Sequence, residues 1–173
     1  MIIINFFGGP GTGKSTTAAG LFHLMKLEGV NVELVTEYAK DLTWDKRFAA
    51  LKDQLYVFSK QHGRLSRLVD KVDFVVTDGP LINSLVYSPD NYFASFEPLA
   101  TEIFNHYSNY NILLERVKKY SPVGRSQDEA GAREIDLLSE QMLTRKLIPF
   151  NRVPADKEAP KTIFDMIKNK FDI

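Results

Sequence analysis

The sequence predicts an α/β fold in which a parallel sheet is covered by helices on both faces. Short apolar or alternating runs of strand length alternate along the chain with stretches of helical periodicity. The first run, residues 2–7, leads directly into Gly8-Gly9-Pro10-Gly11-Thr12-Gly13-Lys14-Ser15, and a helical pattern begins there. The 173 residues can bury one substantial core, so we expect a single domain spanning residues 1–173.

Five strands and the helices between them are predicted in order along the chain. The strands are expected at residues 2–7, 30–36, 74–77, 110–115 and 147–153, where Pro149 suggests an edge strand. The helices are expected from the glycine-rich segment to Gly29, at 45–69, at 97–107, from the charged segment to about residue 143, and at 161–170. The helix at 45–69 is expected to bury Phe48, Leu51, Leu55, Phe58, Leu65 and Leu68.

Composition excludes several classes of protein. Lysine and arginine together number 22, as do aspartate and glutamate, so no overall positive charge attracts nucleic acid or a membrane surface. The chain has no cysteine, which rules out disulfides, thiolate metal sites and cysteine nucleophiles. No apolar run approaches the ~20 residues of a membrane span. We therefore expect a cytoplasmic protein without a membrane partner.

The segment after the first strand matches G-x-x-x-x-G-K-S, the Walker A motif, in its usual strand-to-helix context. Its glycines allow successive N–H groups to turn toward phosphate oxygens at the positive end of a helix. Lys14 is expected to reach the β- and γ-phosphates of ATP, and the Ser15 hydroxyl to ligate Mg²⁺. The predicted nucleotide-binding residues are Gly9, Gly11, Thr12, Gly13, Lys14, Ser15 and Thr16.

Two carboxylates follow the next two predicted strands. Asp78 comes after residues 74–77, as a Walker B acid does, and would hold Mg²⁺ directly or through water; alternatively it caps the Asp-Gly-Pro turn. Glu37 ends the second strand, where it would act as a general base on an acceptor hydroxyl; alternatively it is a surface acid paired with Lys40. Asp41 is the reserve candidate for the base.

Residues 116–133 carry a dense cluster of positive charge after the fourth strand. Phosphoryl transfer needs cations around the migrating group, and a lid segment is a common way of supplying them. Arg116 and Arg125 are the predicted catalytic cations of this lid. The alternative is a solvated charged loop.

A second set of cations, Lys60, Arg64 and Arg67, recurs at helical spacing and would suit an acceptor's phosphates, although a solvated helix face is the preferred interpretation. Two matches to GTPase signatures, N-K-x-D at 169–172 and D-x-x-G at 128–131, lie in the wrong structural context and are interpreted as accidental. The loop at 154–160 is better placed to touch a nucleotide base.

With these residues in place, the chain resembles the P-loop kinases of nucleosides and nucleotides. The phosphate loop, Thr36-Glu37-Tyr38-Ala39-Lys40 and Val76-Thr77-Asp78-Gly79-Pro80 are similar to blocks of nicotinamide riboside kinases and thymidylate-kinase-like enzymes. The resemblance is closest to small phage proteins described as AAA-type ATPases, among them phage kinases that phosphorylate 5-hydroxymethyl-deoxyuridine within DNA. It implies a P-loop NTPase three-layer sandwich with strand order 2-3-1-4-5 and a helical lid.

The resemblance also implies roles for the two acids: Glu37 as base, and Asp78 as organiser of metal and nucleotide. The sequence departs from deoxynucleoside kinases, which carry Glu-Arg-Ser where Asp78-Gly79-Pro80 stands. A phosphate-binding arginine must therefore come from the lid or from Arg64 and Arg67.

We expect a Mg²⁺- and ATP-dependent kinase that transfers the γ-phosphoryl to a hydroxyl of a nucleoside-like acceptor. The preferred acceptor, implied by the resemblance, is 5-hydroxymethyluracil in DNA, a step in thymidine hypermodification of phage DNA in the host cytoplasm. Two alternatives remain open, a kinase of a free nucleoside or nucleotide and a nucleotide-hydrolysing ATPase or GTPase switch.

Overall fold

The computed structural model describes residues 1–117, 119–121, 123 and 128–173, and places five parallel strands in one sheet. The strands are β1 (Ile2–Phe7), β2 (Val32–Val35), β3 (Phe74–Thr77), β4 (Ser108–Glu115) and β5 (Asn151–Pro154). Their order is β2-β3-β1-β4-β5, with parallel pairing throughout. The predicted fold class and strand order are confirmed.

Helices connect the strands and cover both faces of the sheet. They are α1 (Lys14–Leu27), α2 (Tyr38–Trp44), α3 (Phe48–Lys52), α4 (Gln54–Ser66), α5 (Phe96–His106), α6 (Glu129–Arg145) and α7 (Ala159–Phe171), with a 3₁₀ helix at Leu81–Leu85. None of the helices in the described part of the chain is long and apolar enough to cross a membrane.

The two faces of β1 contribute to two separate hydrophobic clusters, because successive side chains of a strand point to opposite faces. Ile4 and Phe6 join the cluster under α1 and α7, which also contains Leu21, Met25, Ile163 and Ile167. Ile3 and Phe7 join the cluster under α4, α5 and α6, which also contains Phe58, Leu65, Phe104 and Leu143. The central strand is therefore buried on both sides, which anchors the segment that follows it.

The prediction of one helix at 45–69 was wrong. The segment forms two helices, α3 and α4, and α2 precedes them. The break falls at Asp53, whose side chain accepts a hydrogen bond from Tyr56 N–H at 3.2 Å and thereby caps α4. Phe58 and Leu65 are buried as predicted, but Phe48, on the separate helix α3, and Leu55, in the first turn of α4, are exposed.

The other predicted bounds differ from the observed ones by a few residues. Residues 74–77 form β3 as predicted, whereas the fifth strand begins at Asn151 instead of residue 147 and lies at the sheet edge. Of the predicted lid, α6 begins at Glu129, where Asp128 accepts a hydrogen bond from Gly131 N–H at 2.8 Å. This cap accounts for the D-x-x-G match as a helix start.

Candidate functional site

The candidate site residues lie at the carboxyl edge of the sheet, where β1, β2, β3 and β4 end. The phosphate loop follows β1, Glu37 follows β2, Asp78 follows β3 and Arg116 follows β4. Parallel strands bring these chain positions to one edge, where ligands bind in such sheets. A cleft of about 650 Å³ opens there.

The phosphate loop, residues 8–15, is held in a conformation that depends on its glycines. Gly8 and Gly13 have φ of 131° and 120°, values that side chains rarely allow. Gly13 precedes α1 without any side-chain cap, so the first N–H groups of α1 lack a capping partner from that residue. A helix start of this kind favours a bound anion.

Side chains of the loop are arranged around its backbone. Lys14 is buried, and its Nζ donates to the carbonyl oxygens of Gly8 at 2.7 Å and Gly9 at 3.1 Å. Thr12 is fully buried and its hydroxyl oxygen lies 2.6 Å from Gly9 O. Ser15 and Thr16 are exposed at the cleft, so their hydroxyls are open to a ligand.

Glu37 and Asp78 are adjacent across the ends of β2 and β3. The Glu37 N–H donates to Asp78 Oδ1 at 2.9 Å, and Asp78 is only 3% exposed. Burial raises the pKa of the Glu37 carboxyl, the charge of Lys14 opposes this, and the charge of Asp78 adds to it. The structure thus brings the two predicted acids together and links Glu37 electrostatically to the loop lysine.

Gly79 makes this adjacency possible. A Cβ built on it would lie 2.8 Å from Glu37 Cα and 3.1 Å from Gln61 Nε2. Position 79 therefore has no room for a side chain, because a Cβ there would meet the chain after β2.

The structure bears on two alternatives, a surface pair of Glu37 with Lys40 and Asp41 as the base. No ion pair joins Glu37 to Lys40 in the part of the chain that the structure describes. Asp41 pairs with Arg64, which also donates to Thr36 O at 3.0 Å and lies 5.0 Å over the Tyr38 ring. Asp41 and Arg64 are therefore engaged with each other beside the cleft.

Arg116 is turned toward the phosphate loop and α6. Its Nε donates to Asp136 Oδ2 at 2.8 Å, and its Nη2 donates to Pro10 O at 2.9 Å. The side chain is 6% exposed and does not line the main cleft. Arg125 lies outside the described residues, and of the lid segment Lys119, Ser121 and Val123 line the cleft.

The end of the cleft formed by α2, α3, α4 and the 3₁₀ helix combines buried amides with exposed aromatic side chains. Gln54, Gln61 and Asn83 are buried, and Asn83 Oδ1 has no hydrogen-bond partner among the described residues. Trp44 and Phe48 are 58% and 49% exposed and form an apolar wall. This end is suited to a flat ligand with polar edges.

The sequence analysis did not single out Gln61, Asn83, Tyr87 or Asp136. Tyr87 lines the cleft, and burial, together with the charges of Glu37 and Asp136, raises the pKa of its phenol, which therefore stays neutral. Gln61 accepts a hydrogen bond from Tyr38 N–H at 2.8 Å and so fixes the chain after Glu37. None of the four lies in a motif; only the three-dimensional arrangement reveals them.

Other predicted positions lie away from this cleft or beside it. Lys60 and Arg67 do not line it, and Lys60 lies 5.4 Å over the Tyr56 ring. The loop after β5 approaches the phosphate loop, since a Cβ built on Gly13 would lie 3.2 Å from Ala155 Cβ. The N-K-x-D match falls at the end of α7, which fits its interpretation as accidental.

Comparison with known proteins identifies the family. Residues 3–159 match the model of the AAA domain family, and the chain belongs to that family. No curated protein sequence matches it.

Two solved structures show the same fold. Deoxyadenosine kinase from M. mycoides with bound dATP is 19% identical, with a TM-score of 0.59 and coverage of 98% of this chain and 99% of that one. Deoxyadenosine kinase from M. mycoides with the products dCMP and a flexible dCDP is 18% identical, with a TM-score of 0.60 and 98% coverage of both chains. At this identity the matches establish the fold alone, which is that of the P-loop kinases.

Proposed function

We propose that this member of the AAA domain family is an ATP-dependent kinase that transfers the γ-phosphoryl to a hydroxyl of a nucleoside-like acceptor. One observation carries the proposal: the phosphate loop and Glu37 line one cleft, with the buried Asp78 held against Glu37. A nucleotide-hydrolysing switch needs no binding space for an acceptor beside the phosphate loop. The solved kinases with the same fold support the same class of reaction.

The donor half of the site would be formed by the phosphate loop. The N–H groups of residues 11–16 and Lys14 Nζ would surround the β- and γ-phosphates, once Lys14 exchanges its carbonyl partners for phosphate oxygens. Mg²⁺ would be held by the Ser15 hydroxyl and the Asp78 carboxylate, which are oxygen ligands of the kind it prefers, and it would supply positive charge that stabilises the phosphates.

Glu37 would serve the acceptor half as general base. The acceptor oxygen forms a bond to the γ-phosphorus while its proton passes to the Glu37 carboxylate and the bond to the β-phosphate oxygen breaks, releasing ADP. The raised pKa of Glu37 brings its basicity nearer to that needed for proton transfer at neutral pH. Asp78, through its hydrogen bond to Glu37 N–H, would position this base.

For the acceptor, a free nucleoside or nucleotide fits the enclosed part of the cleft. Its base would lie between Tyr87 and the wall of Trp44 and Phe48, with the amides of Gln54, Gln61 and Asn83 available to its polar edges. The unpartnered Asn83 Oδ1 supports a ligand with a hydrogen-bond donor at this point.

The second candidate acceptor is the hydroxymethyl group of 5-hydroxymethyluracil in DNA. The exposed Trp44 and Phe48, together with Lys40 and Lys52 at the same mouth, favour it, because aromatic and basic side chains on an open rim suit an extruded base and its flanking phosphates. The pairing of Arg64 with Asp41 leaves less free positive charge nearby for the DNA backbone.

One labelling experiment separates these possibilities. The protein is incubated with Mg²⁺ and γ-labelled ATP against free nucleosides, nucleotides and duplex or single-stranded DNA containing 5-hydroxymethyluracil. Label on one of these acceptors is expected, and its position decides between free and DNA-bound substrates. Label found only in inorganic phosphate would overturn the kinase proposal and favour the switch ATPase.

A further inference from the structure

Asp136, on the second turn of α6, contacts the phosphate loop and is not among the residues that line the main cleft. Its Oδ1 accepts a hydrogen bond from Gly9 N–H at 2.5 Å and lies 3.0 Å from Thr12 Oγ1. The Thr12 hydroxyl has one proton, so it donates either to Asp136 or to Gly9 O. A carboxylate outside the Walker A motif thus touches two of its residues.

Arg116 extends this contact to a third loop residue. Its Nε and Nη2 face the two Asp136 oxygens at 2.8 and 3.2 Å, in the forked geometry typical of arginine and carboxylate. The same Nη2 donates to Pro10 O at 2.9 Å and to Thr12 Oγ1 at 3.1 Å. Nε and Nη2 are therefore engaged with the loop and Asp136, whereas Nη1 is buried without a hydrogen-bond partner among the described residues.

The backbone of α6 leaves no space between itself and the loop. A Cβ built on Gly9 would lie 2.1 Å from Ala132 O and 2.9 Å from Asp136 Oδ1. Any shift of α6 toward the sheet must therefore move Gly9, and any shift away must break the Asp136 contacts.

These contacts bear on which way the loop amides point. In a trans peptide the carbonyl and the following N–H point in opposite directions. Holding Pro10 O against Arg116 therefore turns the Gly11 N–H to the other side, and Pro10 and Gly11 both line the cleft. The Asp136–Arg116 pair fixes the peptide unit that presents this N–H to a phosphate.

We propose that Asp136 is a positioning residue that, through Arg116, holds the phosphate loop in its nucleotide-binding shape. Arg116 then acts on the loop backbone and does not contact the migrating phosphoryl group. The inference rests on the proposed nucleotide site, but not on the identity of the acceptor or on transfer itself.

Direct binding of Mg-ATP, followed by calorimetry, tests the proposal with Asp136→Asn. We expect its Kd for Mg-ATP to rise roughly tenfold, about the effect of losing one charge-assisted hydrogen bond. Arg116→Lys, which keeps the charge but loses the fork, should give a smaller rise in Kd. Glu140→Gln is the matched control: it makes the same type of change one turn further along α6, in an exposed pair with Arg152, and should bind like wild type.

Failure of the proposed positioning role of Asp136 can be distinguished from failure of the proposed function. Wild-type protein that fails to bind Mg-ATP would contradict the proposed function. Wild-type binding together with an unchanged Kd in Asp136→Asn would overturn the positioning role alone, even if the variant melts at a lower temperature, because a merely structural residue affects stability without affecting affinity.

Hydrogen exchange in the wild-type protein keeps the test independent of whether the variants fold. Mg-ATP should slow exchange in residues 8–16 and also in residues 129–136, since coupling between loop and helix acts in both directions. Residues 140–146 of the same helix should change little. Protection confined to the loop would overturn the proposal.

Discussion

The two ends of the cleft differ in how firmly their side chains are held. At the phosphate end, Thr12 and Lys14 are buried, and the loop is bonded to its own backbone, to Arg116 and to Asp136. At the acceptor end, Trp44 and Phe48 are about half exposed, and α3 contributes no buried residue. The backbone of the phosphate end is held by many contacts, whereas the other end presents uncovered apolar surface.

The difference follows from the lengths and packing of the elements that build each end. The phosphate loop joins the central strand β1 to the 14-residue α1, and both contribute to the cluster beneath α1 and α7. The acceptor wall is made by α2 and α3, of seven and five residues, which are too short to be stable without tertiary contacts. We expect the acceptor to order this wall on binding, and the donor to find its site ready.

The largest effect is expected at the phosphate end, from Lys14→Met. The substitution removes the buried ammonium that would stabilise charge on the transferred phosphoryl, and transfer should fall by about 10³-fold. Lys26→Met on the same helix, in an exposed pair with Glu33, is the control and should leave the rate unchanged. The measurement is initial rate of label transfer at saturating ATP; a Lys14→Met enzyme within tenfold of wild type would contradict the assigned role.

Glu37→Gln should produce the next largest effect, and only in chemistry. The amide keeps the size of the side chain but cannot accept the acceptor's proton, so transfer should fall by ~10²-fold. Mg-ATP affinity should remain near wild type, because no hydrogen bond joins Glu37 to the phosphate loop among the described residues. Single-turnover rates and direct nucleotide binding measure the two quantities separately. Near-normal turnover would move the base to Asp41 or Asp78.

The sequence predicts the structure well where neighbouring residues decide it, and poorly where a side-chain or tertiary contact decides it. The phosphate loop and β3 could be predicted because their signals are local: a contiguous motif and an unbroken apolar run. The break at Asp53 was missed because apolar periodicity continued across it, while a side-chain cap on Tyr56 N–H decided the structure.

Long-range contacts account for the rest. Asp136 reaches Gly9 across 127 positions of sequence, and Gln61 reaches Tyr38 across 23, so no spacing rule indicates either. The predicted Arg116 stands where expected, after β4, but its partners on α6 could be found only from the structure.

Gly79→Ala tests the contact that holds Glu37 in the acceptor half, with a smaller expected effect. The new methyl would lie 2.8 Å from Glu37 Cα, so the chain after β2 must move by several tenths of an ångström. Transfer should fall roughly tenfold while Mg-ATP binding changes little, because misplacing a base costs rate without removing it. Gly63→Ala is the matched control, since a Cβ there meets nothing within 4 Å. Equal rates in the two variants would show that Gly79 does not position Glu37.

The smallest effect concerns stability and comes from the raised pKa of Glu37. Its folded-state value lies above the ordinary 4.5, so the native protein holds this proton more tightly than the unfolded chain. The contribution to stability is fully present below the pKa of the unfolded state and is lost as pH rises through the pKa of the folded state.

Glu37→Gln, which remains neutral, should therefore raise the midpoint of thermal unfolding at pH 7 and change it much less at pH 4. Glu33→Gln, an exposed carboxylate on β2, should show no such pH-dependent gain. A Glu37→Gln midpoint equal to or below that of wild type at pH 7 would mean that the ionised carboxylate is well solvated, and that the acceptor end lacks the desolvated base on which its half of the reaction depends.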